Sequence, residues 1–180
     1  MTEVKRLDRQ RVFDGRVLKL WVDRVEMSNG KVSELEVIHH PGAAAMVPIA
    51  ADGTVLLVRQ YRYVTGSWLL EVPAGKLDPG EEPEACARRE LEEETGYRAR
   101  KAIPLGWIWT TPGFTDEKIH LYLMQGLEPA RQSLQGDEVI TVERLPFLEA
   151  VEMARDGRIR DGKSICALLR ATAVVDSSSG

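Results

Sequence analysis

Between residues 11 and 41, RVFDGRVLKLWVDRVEMSNGKVSELEVIHHP, apolar and β-branched residues recur in short runs between polar ones. Asp14-Gly15 and Asn29-Gly30 interrupt these runs, and both dipeptides suit tight hairpin turns, so the stretch predicts antiparallel strands ending at Pro41-Gly42. AAAMVPIAADGTVLLVRQYR predicts two strands about the Asp52-Gly53 turn, and SWLLEVPAG predicts a further short strand ended by Pro73 and Gly75. A helix is expected from about Pro83 to Glu94: proline suits a first turn that needs no N–H, and Gly96 can close the end in a left-handed conformation. RKAIPLGWIWT and KIHLYLMQGL read as strands around a TPGFTDE loop, and EVITVERLP as another after the polar loop Arg131 to Asp137. PFLEAVEMARDG and SICALLRATAVV read as helices, and DSSSG as a frayed tail. The sum is an α+β chain with an N-terminal antiparallel β appendage over 1–41, a main domain over 42–175 and a tail over 176–180.

Composition narrows the class. With 180 residues, 43% hydrophobic and 29% charged, the chain has the size and balance of one soluble domain with a core. A net charge of −4 argues against a nucleic-acid binder. Cys86 and Cys166 have neither CxxC nor paired spacing, which disfavours a disulfide framework or zinc site and fits a reducing cytoplasm. The polar start MTEVKRLDRQ lacks the apolar segment of a signal peptide, and no apolar run approaches the ~20 residues that span a bilayer.

The chemistry concentrates in GKLDPGEEPEACARRELEEETGY, where eight of 23 residues are acidic. At about 100° per residue, Glu93 lies roughly 60° to one side of Glu90 and Glu94 about 40° to the other, so the three share a helix face. One turn earlier that face carries Cys86 and Ala87, which makes it an inward one. Two readings fit this spacing. One is a solvated helix laced by i,i+4 pairs, Arg88 with Glu92 and Arg89 with Glu93. The other is a metal site. It gains support because base-before-acid is the weaker pair order, and because carboxylates at a helix C-terminus oppose its dipole by about 0.3–1 kcal/mol each. An all-oxygen donor set suits Mg²⁺ or Mn²⁺ rather than zinc.

The same residues resemble the Nudix hydrolase signature G-x5-E-x7-R-E-U-x-E-E-x-G-U, where U is aliphatic. Gly75, Glu81, Arg89, Glu90, Leu91, Glu93, Glu94 and Gly96 match in register, and Tyr97 stands where an aliphatic residue is usual. The resemblance implies a Nudix fold, a mixed β-sheet sandwiched between α-helices. It also implies Glu90, Glu94 and the Ala74 carbonyl as metal ligands, Glu93 as a further ligand and catalytic group, Arg89 as an orienting group and Glu81 as outer support. Mg²⁺ would be the cofactor, with Mn²⁺ able to substitute.

Pro112, 16 residues after Gly96, together with PGFTDE, RQYR, LLEVPAG and HHPG, resembles the ADP-ribose pyrophosphatase branch. That branch implies hydrolysis of ADP-ribose to AMP and ribose 5-phosphate, in a homodimer formed through the N-terminal strands. It implies Arg62 on the diphosphate, Glu71 in nucleoside recognition, Pro112 in substrate binding, Glu117 near the terminal ribose, and Glu138 as base or additional ligand. The alternatives are a pyrophosphatase for another nucleoside-diphosphate sugar such as GDP-mannose and, more distantly, a non-catalytic nucleotide-sensing Nudix module. Neither a nucleic acid nor a membrane is an expected partner.

Overall fold

A computed structural model describes residues 3–16, 18–134, 136 and 139–177. The chain divides into two compact units, one of 1–42 with 109–118 and one of 43–108 with 119–180.

The first unit is a three-stranded antiparallel sheet of β1 (Lys5–Asp14), β2 (Lys19–Glu26) and β3 (Val32–His39), in that order. The hairpin expected at Asn29-Gly30 forms, with Gly30 at φ 80° where a β-carbon would be strained. The first strand begins at Lys5, earlier than the polar run KRLDRQ suggests. Pairing with β2 recruits these residues, and their polarity suits a strand exposed along nearly its whole length. A two-bond fork fastens the pair, Arg9 Nε and Nη2 donating to the two oxygens of Asp23, which is buried. The loop 109–118 joins this unit through a parallel bridge between Ile38 and Thr115.

In the second unit, β4 (Ala43–Pro48) and β5 (Thr54–Arg62) flank the expected Asp52-Gly53 turn but enter different sheets. β5 lies between β10 (Ile140–Pro146) and β6 (Ser67–Glu71), antiparallel to both. The other sheet has the order β7 (Ala74–Lys76), β4, β9 (Lys118–Pro129), β8 (Tyr97–Trp109), with β4 parallel to β9 and antiparallel to β7. The single strand predicted for SWLLEVPAG is thus two, split at Val72-Pro73. Proline has no N–H for a ladder, and the Pro73 carbonyl instead accepts from Met46 N. Pro104 is tolerated in β8 because that strand is at the edge.

All six residues of β4 are buried, which is why AAAMVP is a continuous apolar run with no alternation. Ala43, Ala45 and Val47 face one core with Leu121, Leu123 and residues of α2 (Phe147–Arg155) and α3 (Gly162–Ser177). Ala44 and Met46 face another with Tyr122, Met124 and Cys86, Ala87 and Leu91 of α1 (Pro83–Thr95). The β4–β9 sheet is therefore covered by helices on both faces, the mixed sandwich that the resemblance implies.

Burial raises the Asp23 carboxyl but the Arg9 hydrogen bonds, the largest influence, hold it below its ordinary 3.8. Stability from such a group is present above the unfolded value and lost as pH falls through the depressed folded one. Asp23→Asn should lower the unfolding free energy at pH 7 by about 1.5–3 kcal/mol. In denaturation series the gap to the parent should narrow below about pH 3.8; a gap that is constant with pH excludes this account of the Arg9–Asp23 pair.

Candidate active site

α1 runs from Pro83 to Thr95 and is closed by Gly96 at φ 72°, whose N–H donates to the Glu92 carbonyl. Its inward face is the one the spacing predicts: Cys86, Ala87, Glu90, Leu91 and Glu94 are buried, Glu90 at 5% exposure and Glu94 at 4%. The simple i,i+4 lacing holds only in part. Arg88 turns back to Glu84 and the Ala99 carbonyl, while Glu92 pairs with Arg98.

Arg89 is the hub of the cluster. Its Nε and Nη2 grip the two oxygens of Glu81 at 2.9 and 2.8 Å, and its Nη1 reaches Glu90 Oε1 at 2.7 Å and Glu93 Oε2 at 3.3 Å. One guanidinium thus bridges three carboxylates, a geometry that lysine could not reproduce. The Arg89 hydrogen bonds bring the Glu81 carboxyl down to about 2, with the Asp78 N–H adding to the effect. The Cys86 thiol beneath is pushed up to about 12, chiefly by burial and then by Glu81 and Glu90, so it stays a neutral, inert packing group.

The short strand β7 meets α1 from the other side. Ala74 N donates to Glu94 Oε2 at 3.1 Å. At Gly75 a β-carbon would overlap the Glu90 carboxyl group, so the glycine is what admits this carboxylate. Among the described residues, no group of three His, Cys, Asp or Glu side chains is arranged as a ready cage for a metal ion. The donor set nevertheless fits a hard divalent cation in kind. Its carboxylates Glu90 and Glu94 are buried, its donors are oxygens, and the Gly75 cradle keeps Glu90 beside the backbone.

Arg62 and Glu71 form a second arrangement. Strand periodicity puts Val58, Gln60 and Arg62 on the face opposite Val55 and Leu57, and the register Val58↔Glu71 puts Glu71 with them. Glu71 is 1% exposed and receives Arg62 Nε and Nη2 at 2.8 and 2.7 Å, and it is also bonded by Lys163 Nζ. Burial pushes its carboxyl up, but Arg62 and Lys163 together more than offset this and leave it below the ordinary range. Arg62 also feels the charge of Glu94, which connects this pair electrostatically to α1.

Pro112 and Glu117 lie in the loop of the first unit, where Glu117 accepts from Thr110 Oγ1 at 2.8 Å and stands 3.4 Å from His40 Nδ1. Glu138 lies outside the described residues. Lys163 and Asp161 escaped the reading of the sequence. A visible signal was a lysine near the start of a helix, where the dipole disfavours it. His39 bonds the Asp116 carboxylate through Nδ1.

The sequence profile of the NUDIX domain matches residues 39–168. A protein of Bacillus subtilis named ADP-ribose pyrophosphatase is 38% identical over 168 residues, covering 92% of this chain and 91% of its own. One of Bacillus methanolicus named methanol dehydrogenase activator is 41% identical over 168 residues with the same two coverages. A crystal structure of an "ADP compounds hydrolase" superposes with a TM-score of 0.88 over 99% of this chain and 97% of that one, at 24% identity, which shows the fold.

Gly75→Ala should displace the Glu90 carboxylate and cost about 1–3 kcal/mol, as crowding of a packed site does. A thermal unfolding midpoint unchanged from the parent would exclude the cradle as described.

Proposed function

The chain belongs to the NUDIX family, and from that premise we propose that it hydrolyses the diphosphate of ADP-ribose to AMP and ribose 5-phosphate. The observation that carries this reading is the pair of buried carboxylates, Glu90 and Glu94, on the inner face of α1, with the Arg62 guanidinium within reach of the Glu94 charge. The name of the Bacillus subtilis relative supports the choice of substrate. Nudix hydrolases generally need divalent metal ions, and Mg²⁺ is our choice here, with Mn²⁺ able to substitute.

In this reading Glu90, Glu94 and the Ala74 carbonyl would hold the ion, with Glu93 as a further ligand. A bound divalent ion supplies charge neutralisation for the diphosphate and acidifies a water. Arg89 orients Glu90 and Glu93 through their shared contact with Nη1, and Glu81 anchors Arg89. Arg62 is fixed by Glu71 along one edge and offers its remaining N–H groups to a phosphate oxygen. Glu71 therefore serves recognition through Arg62. The water oxygen bonds to one phosphorus, the bridging P–O bond breaks, and the water's proton passes to a base. Glu138 is the candidate for that base, Glu117 is assigned to the terminal ribose, and Pro112 to substrate binding.

Assembly as a two-fold dimer through the N-terminal strands is part of the proposal. It is supported by the exposed apolar side chains of Val12, Phe13, Val32 and Leu35 on a small sheet. A monomer mass in light scattering would exclude it. A cytoplasmic location is supported by the absence of disulfides, Cys86 and Cys166 being free. No helix among the described residues is long and apolar enough to cross a membrane.

Glu94→Gln retains an oxygen to accept from Ala74 N while removing the charge, so Mg²⁺-dependent turnover should fall at least ~100-fold with little change in melting temperature. Unchanged turnover excludes Glu94 as a ligand. Product analysis of ADP-ribose and GDP-mannose hydrolysis at equal enzyme concentration should show higher kcat/KM for ADP-ribose. A clear preference for GDP-mannose transfers the assignment to that sugar nucleotide.

A further inference from the structure

Lys163 has no part in the reaction as derived so far, yet its side chain is only 11% exposed and forms ion pairs with two carboxylates, Glu71 and Asp161. It sits in the first turn of α3, where the positive end of the helix dipole opposes an ammonium by roughly 0.3–1 kcal/mol. A lysine so far out of water also needs paired partners to stay charged. Helix stability therefore does not account for the residue at this position.

The surrounding bonds define what the ammonium does. Asp161 Oδ2 lies 2.9 Å from Lys163 Nζ and also accepts from the N–H and the hydroxyl of Ser164. The Ser164 hydroxyl in turn accepts from Val72 N at 2.8 Å, tying the start of α3 to the residue that follows Glu71. Lys163 is thus delivered to Glu71 by a buried, bonded framework. Two positive groups, Arg62 and Lys163, face two negative ones, Glu71 and Asp161. Without Lys163 the buried Glu71 carboxylate would draw its whole counter-charge from Arg62. With it, the four charges balance, and Arg62 is held by the fork without being the only counter-charge of Glu71. The fork uses one N–H of Nε and one of Nη2, and the Arg62 side chain, 41% exposed, keeps three further N–H groups.

We propose that Lys163 is a positioning residue that shares the Glu71 carboxylate and so keeps the Arg62 guanidinium available to the diphosphate of a nucleoside-diphosphate substrate. The inference rests on the assignment of Arg62 to the diphosphate. Lys163 itself need not touch substrate.

The test uses the full chain with Mg²⁺ and reads two quantities, calorimetric affinity for ADP and the KM and kcat for ADP-ribose. Lys163→Met should weaken ADP binding and raise KM about tenfold, with kcat within about threefold. Lys163→Arg should keep both near the parent because it preserves the charge. The double variant Glu71→Gln with Lys163→Met keeps an oxygen for one bond of the fork and should bind ADP more tightly than Lys163→Met alone, since the charge that competes for Arg62 is gone. A purely structural lysine would give a double variant no better than the single one, and that result overturns the proposal. Unchanged ADP affinity in Lys163→Met overturns it as well, as does a parent that binds no ADP. Should Lys163→Met fail to fold, Lys163→Gln takes its place. A parent that binds ADP but leaves ADP-ribose intact removes the hydrolase reading, and the binding series still decides the role of Lys163.

Discussion

Negative charge taken out of water must be answered within a few ångströms, and that requirement organises the catalytic half of this molecule. Glu90 and Glu94 are buried on a helix face, and Glu71 is buried at the end of a strand. Left alone, each would be neutralised by a proton. Arg89 instead bridges Glu81, Glu90 and Glu93, Ala74 N bonds Glu94, and Arg62 with Lys163 share Glu71. Each of these carboxylates thus has a donor or a cation against it, and for Glu71 and Glu81 the result is a carboxyl held below its ordinary range. Arg89 is the shared counter-ion of the motif, its Nη1 bonding one oxygen of Glu90 and one of Glu93.

The rest of the second unit delivers these groups to one place. β4, buried on both faces, lets α1 pack on one side and α2 and α3 on the other. Its small residues Ala43, Ala44 and Ala45 pair with β7, and β7 presents Ala74 and Gly75 to the acids of α1. The split at Val72-Pro73 allows consecutive residues to serve two sheets, with Glu71 at the end of β6 and Ala74 at the start of β7. The Ser164 hydroxyl spans that break by bonding Val72 N. The position of the carboxylates therefore depends on how sheets and helices meet, well beyond the 23 residues of the motif.

Local rules were enough where the cause is local. The turn at Asn29-Gly30, the helix bounded by Pro83 and Gly96, and the common face of Glu90 and Glu94 follow from glycine, proline and a period of about 3.6 residues. Local rules fell short at KRLDRQ, a polar run made into strand by its neighbour, and at SWLLEVPAG, which contributes to two sheets. They also missed Lys163. Nothing within a few residues of it explains a buried ammonium, because its partner Glu71 is 92 positions away.

By itself, then, the order of residues determined the element types, the acidic face and its oxygen chemistry, since these depend on spacing along one helix or strand. Beyond the i,i+4 pair of Arg89 with Glu93, tertiary structure decided which cation answers which carboxylate: Arg89 also for Glu81, and Arg62 with Lys163 for Glu71. Ion pairing acts through space and falls away within a few ångströms, so only the folded chain can choose the partners.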